Sequence, residues 1–241
     1  MKRLLVAVVL LGAVGAVVIA RRNAIERREI ANARALLNDG ILRAVVLGDS
    51  VARGAGDERG LGIAGSLDQQ FQTLGIRAAT VANLGINGAR TFNVGKLLEK
   101  GTTKSAVRTA DVIVLSIGGN DLYGDSAARL LSGIAPALQQ HRTLENVRRI
   151  VTKVRELNPA ARIYVLGLYN PYRQSSLRSW LDRQVNLWDG RLTIRFASAR
   201  DLTVVRICDL LNRDDRISGL DHFHPGTRGY QRIAERIASS I

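Results

Sequence analysis

Hydrophobic residues in this chain form short runs that alternate with longer stretches of helical periodicity. Five runs are rich in β-branched residues and stand out from their surroundings: 43–47, 78–82, 111–117, 162–166 and 203–207. Between them, apolar residues recur at helical spacing, most clearly Leu144, Val147, Ile150, Val151, Val154 and Leu157. Asn158-Pro159 directly after this series ends the predicted helix. The pattern therefore predicts alternating strands and helices over most of the chain.

Short, strongly apolar strands separated by helices are typical of a parallel sheet that is covered on both faces. We therefore predict an α/β fold, a three-layer α/β/α sandwich around five parallel strands. In such a fold the active site lies at the carboxyl ends of the strands. The chain has 241 residues, which suits one domain of ordinary size with a substantial core. We place this catalytic domain at residues 41–241.

The first residues follow a different pattern. Leu4 to Ala20 are 17 consecutive apolar or glycine residues. Basic residues flank this run on both sides: Lys2, Arg3, Arg21 and Arg22. A helix of this length spans about 25 Å, which snorkelling arginines extend toward the width of a bilayer. We predict an N-terminal membrane helix over residues 1–22 and a basic helical linker over residues 23–40, with a cleaved signal peptide as the alternative to an uncleaved anchor.

Composition and charge narrow the possible partners. Hydrophobic residues make up 46% of the chain and charged residues 23%, which excludes a disordered chain and a protein with many membrane spans. The net charge of +14 favours anionic partners such as lipid head groups, cell-wall polymers or nucleic acid. Nucleic acid is the least favoured, because the few aromatic residues do not interleave with the basic clusters. Cys208 is the only cysteine, so the chain forms no intramolecular disulfide and offers no Cys/His zinc site.

A candidate nucleophile follows the first predicted strand. The strand runs directly into Gly48-Asp49-Ser50, where the glycine permits a tight turn that presents a serine at the edge of the sheet. Helix capping by Asp49 or Ser50 explains the same motif without catalysis. The motif alone does not decide between these two interpretations.

A candidate base lies near the other end of the chain, in the segment Asp221-His222-Phe223-His224-Pro225. An aspartate three residues before a histidine can reach its ring, where it fixes the tautomer and stabilises the imidazolium. This favours His224 as the base and Asp221 as its partner. His222 is the alternative base.

Two glycine-rich segments, 83–88 and 118–121, follow the second and third predicted strands. The N–H of Gly88, the side-chain amide of Asn120 and the N–H of Ser50 are candidate donors of an oxyanion hole. Taken singly, each segment is explained by turn glycines and a helix cap. Together with the serine and histidine motifs, four segments each supply a group that acyl transfer needs, which favours the catalytic interpretation.

These blocks, in this order, resemble those of the SGNH (GDSL) hydrolase superfamily. The matching residues are Gly48-Asp49-Ser50, Gly88, Gly118-Gly119-Asn120-Asp121 and Asp221-x-x-His224-Pro225. The resemblance covers nearly the whole chain from about Arg43 onward. It implies a flavodoxin-like sheet, with Ser50 as nucleophile, His224 as general base and then acid, and Asp221 as its orienting partner. It also implies an oxyanion hole formed by Ser50, Gly88 and Asn120. This mechanism needs neither a metal nor an organic cofactor.

Further stretches are similar, more narrowly, to a bacterial lipase/acylhydrolase subgroup with an N-terminal membrane segment: Leu157-Asn158-Pro159, Gly167-Leu168-Tyr169-Asn170-Pro171 and Val185-Asn186-Leu187-Trp188. This resemblance implies a membrane-anchored domain outside the cytoplasm, or a secreted one if the N-terminal segment is cleaved. The arginines after the apolar run favour a cytoplasmic domain instead. We give the resemblance more weight, because orientation by charge has exceptions.

The predicted reaction is hydrolysis of a carboxylic ester, with a lipid or an acylated carbohydrate as substrate. Candidate substrate-binding residues are Asp49, Asn87, Tyr169 and Asn170, although an Asn-Pro turn also explains the last two. The polar loop 52–65 forms either a rim over the site or only a surface loop. Two alternatives stay open: an acyltransferase that uses the same triad, and a non-catalytic, membrane-tethered module that binds anionic lipid or polymer through its arginines.

Overall fold

The computed structural model describes residues 41–76, 79–123 and 136–241. The predicted membrane helix and linker lie outside these residues. The five strands are β1 (Leu42–Gly48), β2 (Ala79–Gly85), β3 (Val112–Ser116), β4 (Arg162–Leu166) and β5 (Leu202–Val205). The helices are α1 (Ser50–Arg53), α2 (Gly62–Thr73), α3 (Thr91–Leu97), α4 (Gly101–Thr109), α5 (Gly119–Tyr123), α6 (Pro136–Leu157), α7 (Arg178–Phe196) and α8 (Thr227–Ala238). The predicted alternation is confirmed.

All five strands are parallel and lie in the order β2-β1-β3-β4-β5. This is the flavodoxin-like order, in which the direction of strand succession reverses between β1 and β3. The loops after these two strands therefore diverge and leave a crevice at the carboxyl edge of the sheet. Strand β2 extends beyond its predicted end because Asn83, Leu84 and Gly85 continue its pairing with β1.

The two faces of the sheet bury separate cores. In β1, Ala44 and Val46 face the first core, to which α2 and α8 contribute, while Val45 and Leu47 face the second, to which α3, α4, α6 and α7 contribute. This alternation follows from the two-residue period of a strand. The sheet is thus covered by helices on both sides, as the apolar strands predicted.

The predicted end of α6 at Asn158 is confirmed, and the structure explains it. The Asn158 amide donates to the carbonyl oxygens of Val107 and Ala110, both at 2.8 Å, while its oxygen accepts from the N–H of Ala161 at 2.9 Å. The buried amide therefore joins the end of α6 to the end of α4. Within the described residues, no helix combines the length and the apolar character that crossing a membrane requires.

Candidate active site

The turn after β1 places Ser50 at the carboxyl edge of the sheet. Gly48 has a φ of +143°, and a Cβ at this position would lie 1.7 Å from the carbonyl oxygen of Ser116 in β3. Only glycine therefore lets the two backbones approach here. The carboxylate of Asp49 accepts from the N–H of Val51 at 3.0 Å and so caps the helix that Ser50 begins. Capping and presentation of the serine, which the sequence left as alternatives, occur together.

The loop after β5 brings His224 to Ser50. Nε2 of His224 lies 2.9 Å from Oγ of Ser50, although 174 positions separate the two residues. Nδ1 of the same ring lies 2.7 Å from Oδ2 of Asp221. His222, the alternative base, is exposed and has a φ of +54°. The geometry therefore favours His224 over His222 as the residue that acts on Ser50.

Asp221 is held in its ionised form. Burial raises the pKa of its carboxyl, but hydrogen bonds from the His224 ring and from the N–H groups of His224 and Phe223 outweigh this effect and lower the pKa below its ordinary value. Both N–H groups lie 2.9 Å from Oδ1 of Asp221. A carboxylate fixed in this way keeps its second oxygen on the imidazole, where it holds the ring with Nε2 toward Ser50.

Asp49 has the opposite environment. Burial raises the pKa of its carboxyl to about 7, despite hydrogen bonds from the N–H of Val51 and the hydroxyl of Ser116. The unfolded carboxyl ionises at about pH 3.9. The native chain therefore keeps a proton that the unfolded chain has lost, and its stability falls as the pH rises between these two values.

We predict that Asp49→Asn flattens this dependence, because the amide keeps the capping oxygen but does not ionise. The free energy of unfolding at pH 8 should exceed that of the parent by up to about 4 kcal/mol, while the difference at pH 4 should be small. Urea unfolding across this range measures the effect. The control is Asp214→Asn, at a carboxylate that is 85% exposed. Parallel stability profiles for the parent and Asp49→Asn would contradict the prediction.

Of the candidate oxyanion donors, Ser50 and Asn120 line one cavity, while Gly88 is exposed in the neighbouring turn. The amide of Asn120 donates to the carbonyl oxygen of Ala89 at 2.9 Å, which joins the start of α5 to the turn that contains Gly88 and leaves the second amide hydrogen for a ligand. Among the described residues, no hydrogen-bond acceptor meets the N–H of Ser50 or of Gly88. Asp121 fixes α3 by accepting from the N–H and the hydroxyl of Thr91, at 2.9 and 2.5 Å. The two glycine-rich segments therefore combine turns and a hydrogen bond to the start of α3 with N–H groups that have no partner in the described residues.

A cavity of about 80 Å³ lies beside Ser50. Its walls include Asn120, Leu168, Tyr169, Ile207 and Phe223. The structure thus places Tyr169 in the cavity wall, where its buried hydroxyl donates to the carbonyl oxygen of Phe223 at 2.9 Å. This bond supports the loop of residues 218–227, which carries His224 and which we call the histidine loop.

The other candidate substrate-binding residues have different positions. Asp49 reaches the cavity wall but is 5% exposed, and Asn87 is exposed in the turn beside Gly88, away from the cavity wall. The Asn170 amide donates to Asp182 at 2.9 Å, and its oxygen accepts from the N–H of Tyr172 at 2.9 Å. Asn170 therefore shapes the loop between β4 and α7, as the alternative interpretation of an Asn-Pro turn anticipated.

The structure also shows a contact that sequence analysis missed. Glu58 accepts from the N–H of Thr227 at 2.7 Å and of Gly219 at 3.0 Å, and Asp57 accepts from the Thr227 hydroxyl at 2.6 Å. Burial raises the pKa of Glu58, but these hydrogen bonds outweigh it and lower the pKa to about 2. Hydrogen bonds therefore join the loop after Ser50 to both ends of the segment that carries His224. Two adjacent acids in a loop were the only signal in the sequence.

Gly56 sits against the histidine in the same loop. It has a φ of +82°, and a Cβ here would lie 2.6 Å from Cβ of His224. We predict that Gly56→Ala lowers kcat by about 10²-fold, because a displacement of about 1 Å at the base has an effect of that size. Gly60→Ala is the matched control, since Gly60 also has a positive φ, +69°, but nothing lies within 4 Å of its added Cβ. Equal losses of kcat in the two variants would show that backbone strain, and not displacement of His224, is responsible.

Most of the chain is similar to proteins of one family. Residues 46–232 match the model of the GDSL-like Lipase/Acylhydrolase family. The Bacillus subtilis (strain 168) uncharacterized protein YpmR is 27% identical over 202 residues, which cover 81% of this chain and 79% of that protein.

Solved structures share the fold. The lipase Lip_vut3 from a goat rumen metagenome aligns with a TM-score of 0.71 at 22% identity, over 81% of this chain and 95% of its own. A family 3 carbohydrate esterase from Clostridium thermocellum gives a TM-score of 0.59 at 18% identity, over 81% and 93%. The acetylxylan esterase Axe2 from Geobacillus stearothermophilus gives 0.58 at 16% identity, over 81% and 92%.

Proposed function

Because the chain belongs to the GDSL-like lipase/acylhydrolase family and is therefore a carboxylic ester hydrolase, we propose that it acts through a Ser50-His224-Asp221 triad and an acyl-enzyme. The observation that carries this proposal is the line of two hydrogen bonds from Ser50 Oγ to His224 Nε2 and from His224 Nδ1 to Asp221, at 2.9 and 2.7 Å. Nucleophile, base and orienting carboxylate have this relation in serine hydrolases of unrelated folds.

The reaction begins when His224 takes the proton of Ser50 and Oγ attacks the carbonyl carbon of the ester. The carbonyl oxygen gains a negative charge, which the N–H groups of Ser50 and Gly88 and the amide of Asn120 stabilise. Collapse breaks the bond to the alcohol, which leaves with the proton from His224. Water then gives a proton to His224 and attacks the acyl-enzyme. The bond between the acyl carbon and Oγ breaks, Oγ takes the proton back from His224, and the carboxylic acid leaves.

The cavity beside Ser50 supports a short acyl group. Its volume of about 80 Å³ is below the range of about 300 to 1,000 Å³ that is usual for sites that enclose a larger ligand. Its apolar walls, Leu168 and Ile207, suit the hydrocarbon part of a small acyl group. We therefore infer that the acyl group is short and that the alcohol part, from a lipid or an acylated carbohydrate, stays outside the cavity.

A series of p-nitrophenyl esters tests this proposal on the full chain. We expect kcat/KM to be highest for acetate to butanoate and to fall by about tenfold or more at octanoate, because longer chains overpack the cavity. Leu168→Ala should move the optimum to longer esters, and Leu187→Ala, on the exposed face of α7, should leave it unchanged. An optimum at eight carbons or more in the parent would rule out the short-acyl proposal, while absence of turnover on every ester would rule out the mechanism.

A further inference from the structure

Exposed apolar side chains concentrate at one edge of this protein. Nine large hydrophobic residues are exposed in the described ranges, and only Leu187 and Ile194, in α7, lie away from the carboxyl edge of the sheet. Leu138 is at the start of α6. The other six form what we call the apolar rim: Ile86, Phe92, Tyr172, Leu177, Leu220 and Phe223. Scattered apolar residues on a surface need no explanation, but their concentration at one edge does.

The apolar rim lies on both sides of Ser50. On the side of β2, Ile86 donates its N–H to the carbonyl oxygen of Gly48 at 3.0 Å, two residues before Ser50. Phe92 is on the same side and follows Thr91, which binds Asp121 next to Asn120.

On the opposite side, the rings of Phe223 and His224 lie 4.9 Å apart, and the rings of Tyr172 and Phe223 lie 5.7 Å apart. Leu220 directly precedes Asp221. The mouth of the cavity therefore opens between two exposed apolar groups of side chains.

Three basic side chains lie at the same edge of the sheet as the apolar rim. Arg53, at the end of α1, and Arg59, in the following loop, are exposed, and Lys96 lies 4.6 Å from the centre of the Phe92 ring. Within the part of the chain that the structure describes, no carboxylate forms an ion pair with these three side chains. Asp57, Glu58 and Asp121 lie at the same edge, but their oxygens accept hydrogen bonds from Thr227 and Thr91 and do not pair with these cations. These cations are thus available to anionic groups, and the net charge of +14 on the whole chain favours an anionic partner.

We propose that the apolar rim docks on the surface of an anionic lipid bilayer. Apolar side chains interspersed with arginine and lysine are the combination that binds such an interface, since the first enter the acyl boundary and the second attract the head groups. The run of 17 apolar or glycine residues from Leu4 to Ala20 is the predicted anchor that would hold the domain near a bilayer.

Docking in this orientation turns the mouth of the cavity toward the lipid. Ester groups at the level of the head groups then reach Ser50 without a deep pocket in the protein. This part of the inference rests on the proposed function, whereas the docking itself does not.

An environment-sensitive fluorophore on the full chain tests the orientation. Labels are attached through Phe92→Cys, Leu220→Cys or Ile194→Cys, each combined with Cys208→Ser so that only one thiol is present. Positions 92 and 220 are 65% and 71% exposed, and the control position 194 is 79% exposed. Position 194 is 16 residues beyond the start of α7, about 24 Å along that helix. The predicted anchor is present in all three variants, so differences between labels report orientation and not attachment.

The vesicles are equimolar phosphatidylglycerol and phosphatidylcholine, or phosphatidylcholine alone. We expect the emission of labels at positions 92 and 220 to shift to shorter wavelength with the anionic vesicles, to shift less with the neutral ones, and to stay unchanged at position 194. Equal responses at positions 92 and 194, or no response at 92 and 220, would overturn the proposal. A shift at the rim that is equal with both kinds of vesicle would overturn its dependence on anionic lipid.

Turnover separates this proposal from the proposed function. We expect the double variant Phe92→Ser/Leu220→Ser to hydrolyse p-nitrophenyl acetate in solution as the parent does, because neither side chain lines the cavity. Its hydrolysis of an acetylated diacylglycerol in anionic vesicles should fall by about tenfold or more, because two apolar side chains no longer enter the lipid. Ile194→Ser should change neither rate. Equal loss on both substrates would contradict docking, and failure of the parent on the soluble ester would contradict the proposed function while the fluorescence test stands.

Discussion

Replacing Ser50 with alanine is expected to lower kcat for ester hydrolysis by about 10⁵- to 10⁶-fold. The substitution removes the oxygen that attacks the ester and that His224 contacts at 2.9 Å. The backbone N–H of Ser50 and the cap from Asp49 do not depend on the hydroxyl, so we expect the variant to fold like the parent. Steady-state hydrolysis of p-nitrophenyl acetate measures the loss, and thermal unfolding checks the fold.

Ser105→Ala is the matched control, since Ser105 is an exposed serine in α4. It should keep the activity of the parent. A folded Ser50→Ala variant that keeps more than about a hundredth of the kcat of the parent would contradict this expectation. Such turnover would show that another group attacks the ester and would remove the basis of the proposed mechanism.

The second large effect is expected for Asp221→Asn, which should lower kcat by about 10⁴-fold with little change in KM. The asparagine oxygen can still accept from the N–H groups of Phe223 and His224, so the loop keeps its shape. The amide then presents hydrogen atoms to Nδ1 of His224 and stabilises the wrong tautomer. The ring loses both its orientation and the charge that stabilises the imidazolium.

Asp214→Asn supplies the control for this substitution, because it makes the same chemical change at an exposed carboxylate before the histidine loop. Rates for the parent and both variants, compared from pH 5 to 9, distinguish the outcomes. If Asp221→Asn retained more than about a tenth of the kcat of the parent, Asp221 would not be the orienting carboxylate, since such a partner has a much larger effect.

The sequence predicted the roles of some residues of the candidate site and left those of others open. The interpretation of Ser50, His224 and Asp221 as a unit agrees with their distances of 2.9 and 2.7 Å. The contact between Asp221 and His224 is local and could be predicted from their spacing, whereas Ser50 and His224 are 174 positions apart. For Asn170 the sequence left two interpretations open. Its hydrogen bonds to Asp182 and Tyr172 serve the loop, and only the packed structure shows which partners an amide finds.

The hydrogen bonds between Glu58 and Thr227 could not be predicted from the sequence. The two residues are 169 positions apart, and neither belongs to a motif with a recognisable spacing. The steric role of Gly56 is equally hidden, because a glycine in a polar loop looks the same whether its neighbour is solvent, as at Gly60, or Cβ of His224.

The sequence by itself determined the order of strands and helices, the two-sided burial of the sheet and the residues suited to acyl transfer. These features depend on local periodicity and on short turns, in which the interacting residues are close along the chain. The tertiary structure alone decided how large the cavity is and where the exposed apolar side chains collect. Each of these depends on how loops far apart in the chain pack at one edge of the sheet. Contacts between such segments set this packing, and the local sequence of one segment does not indicate which other segment it will contact.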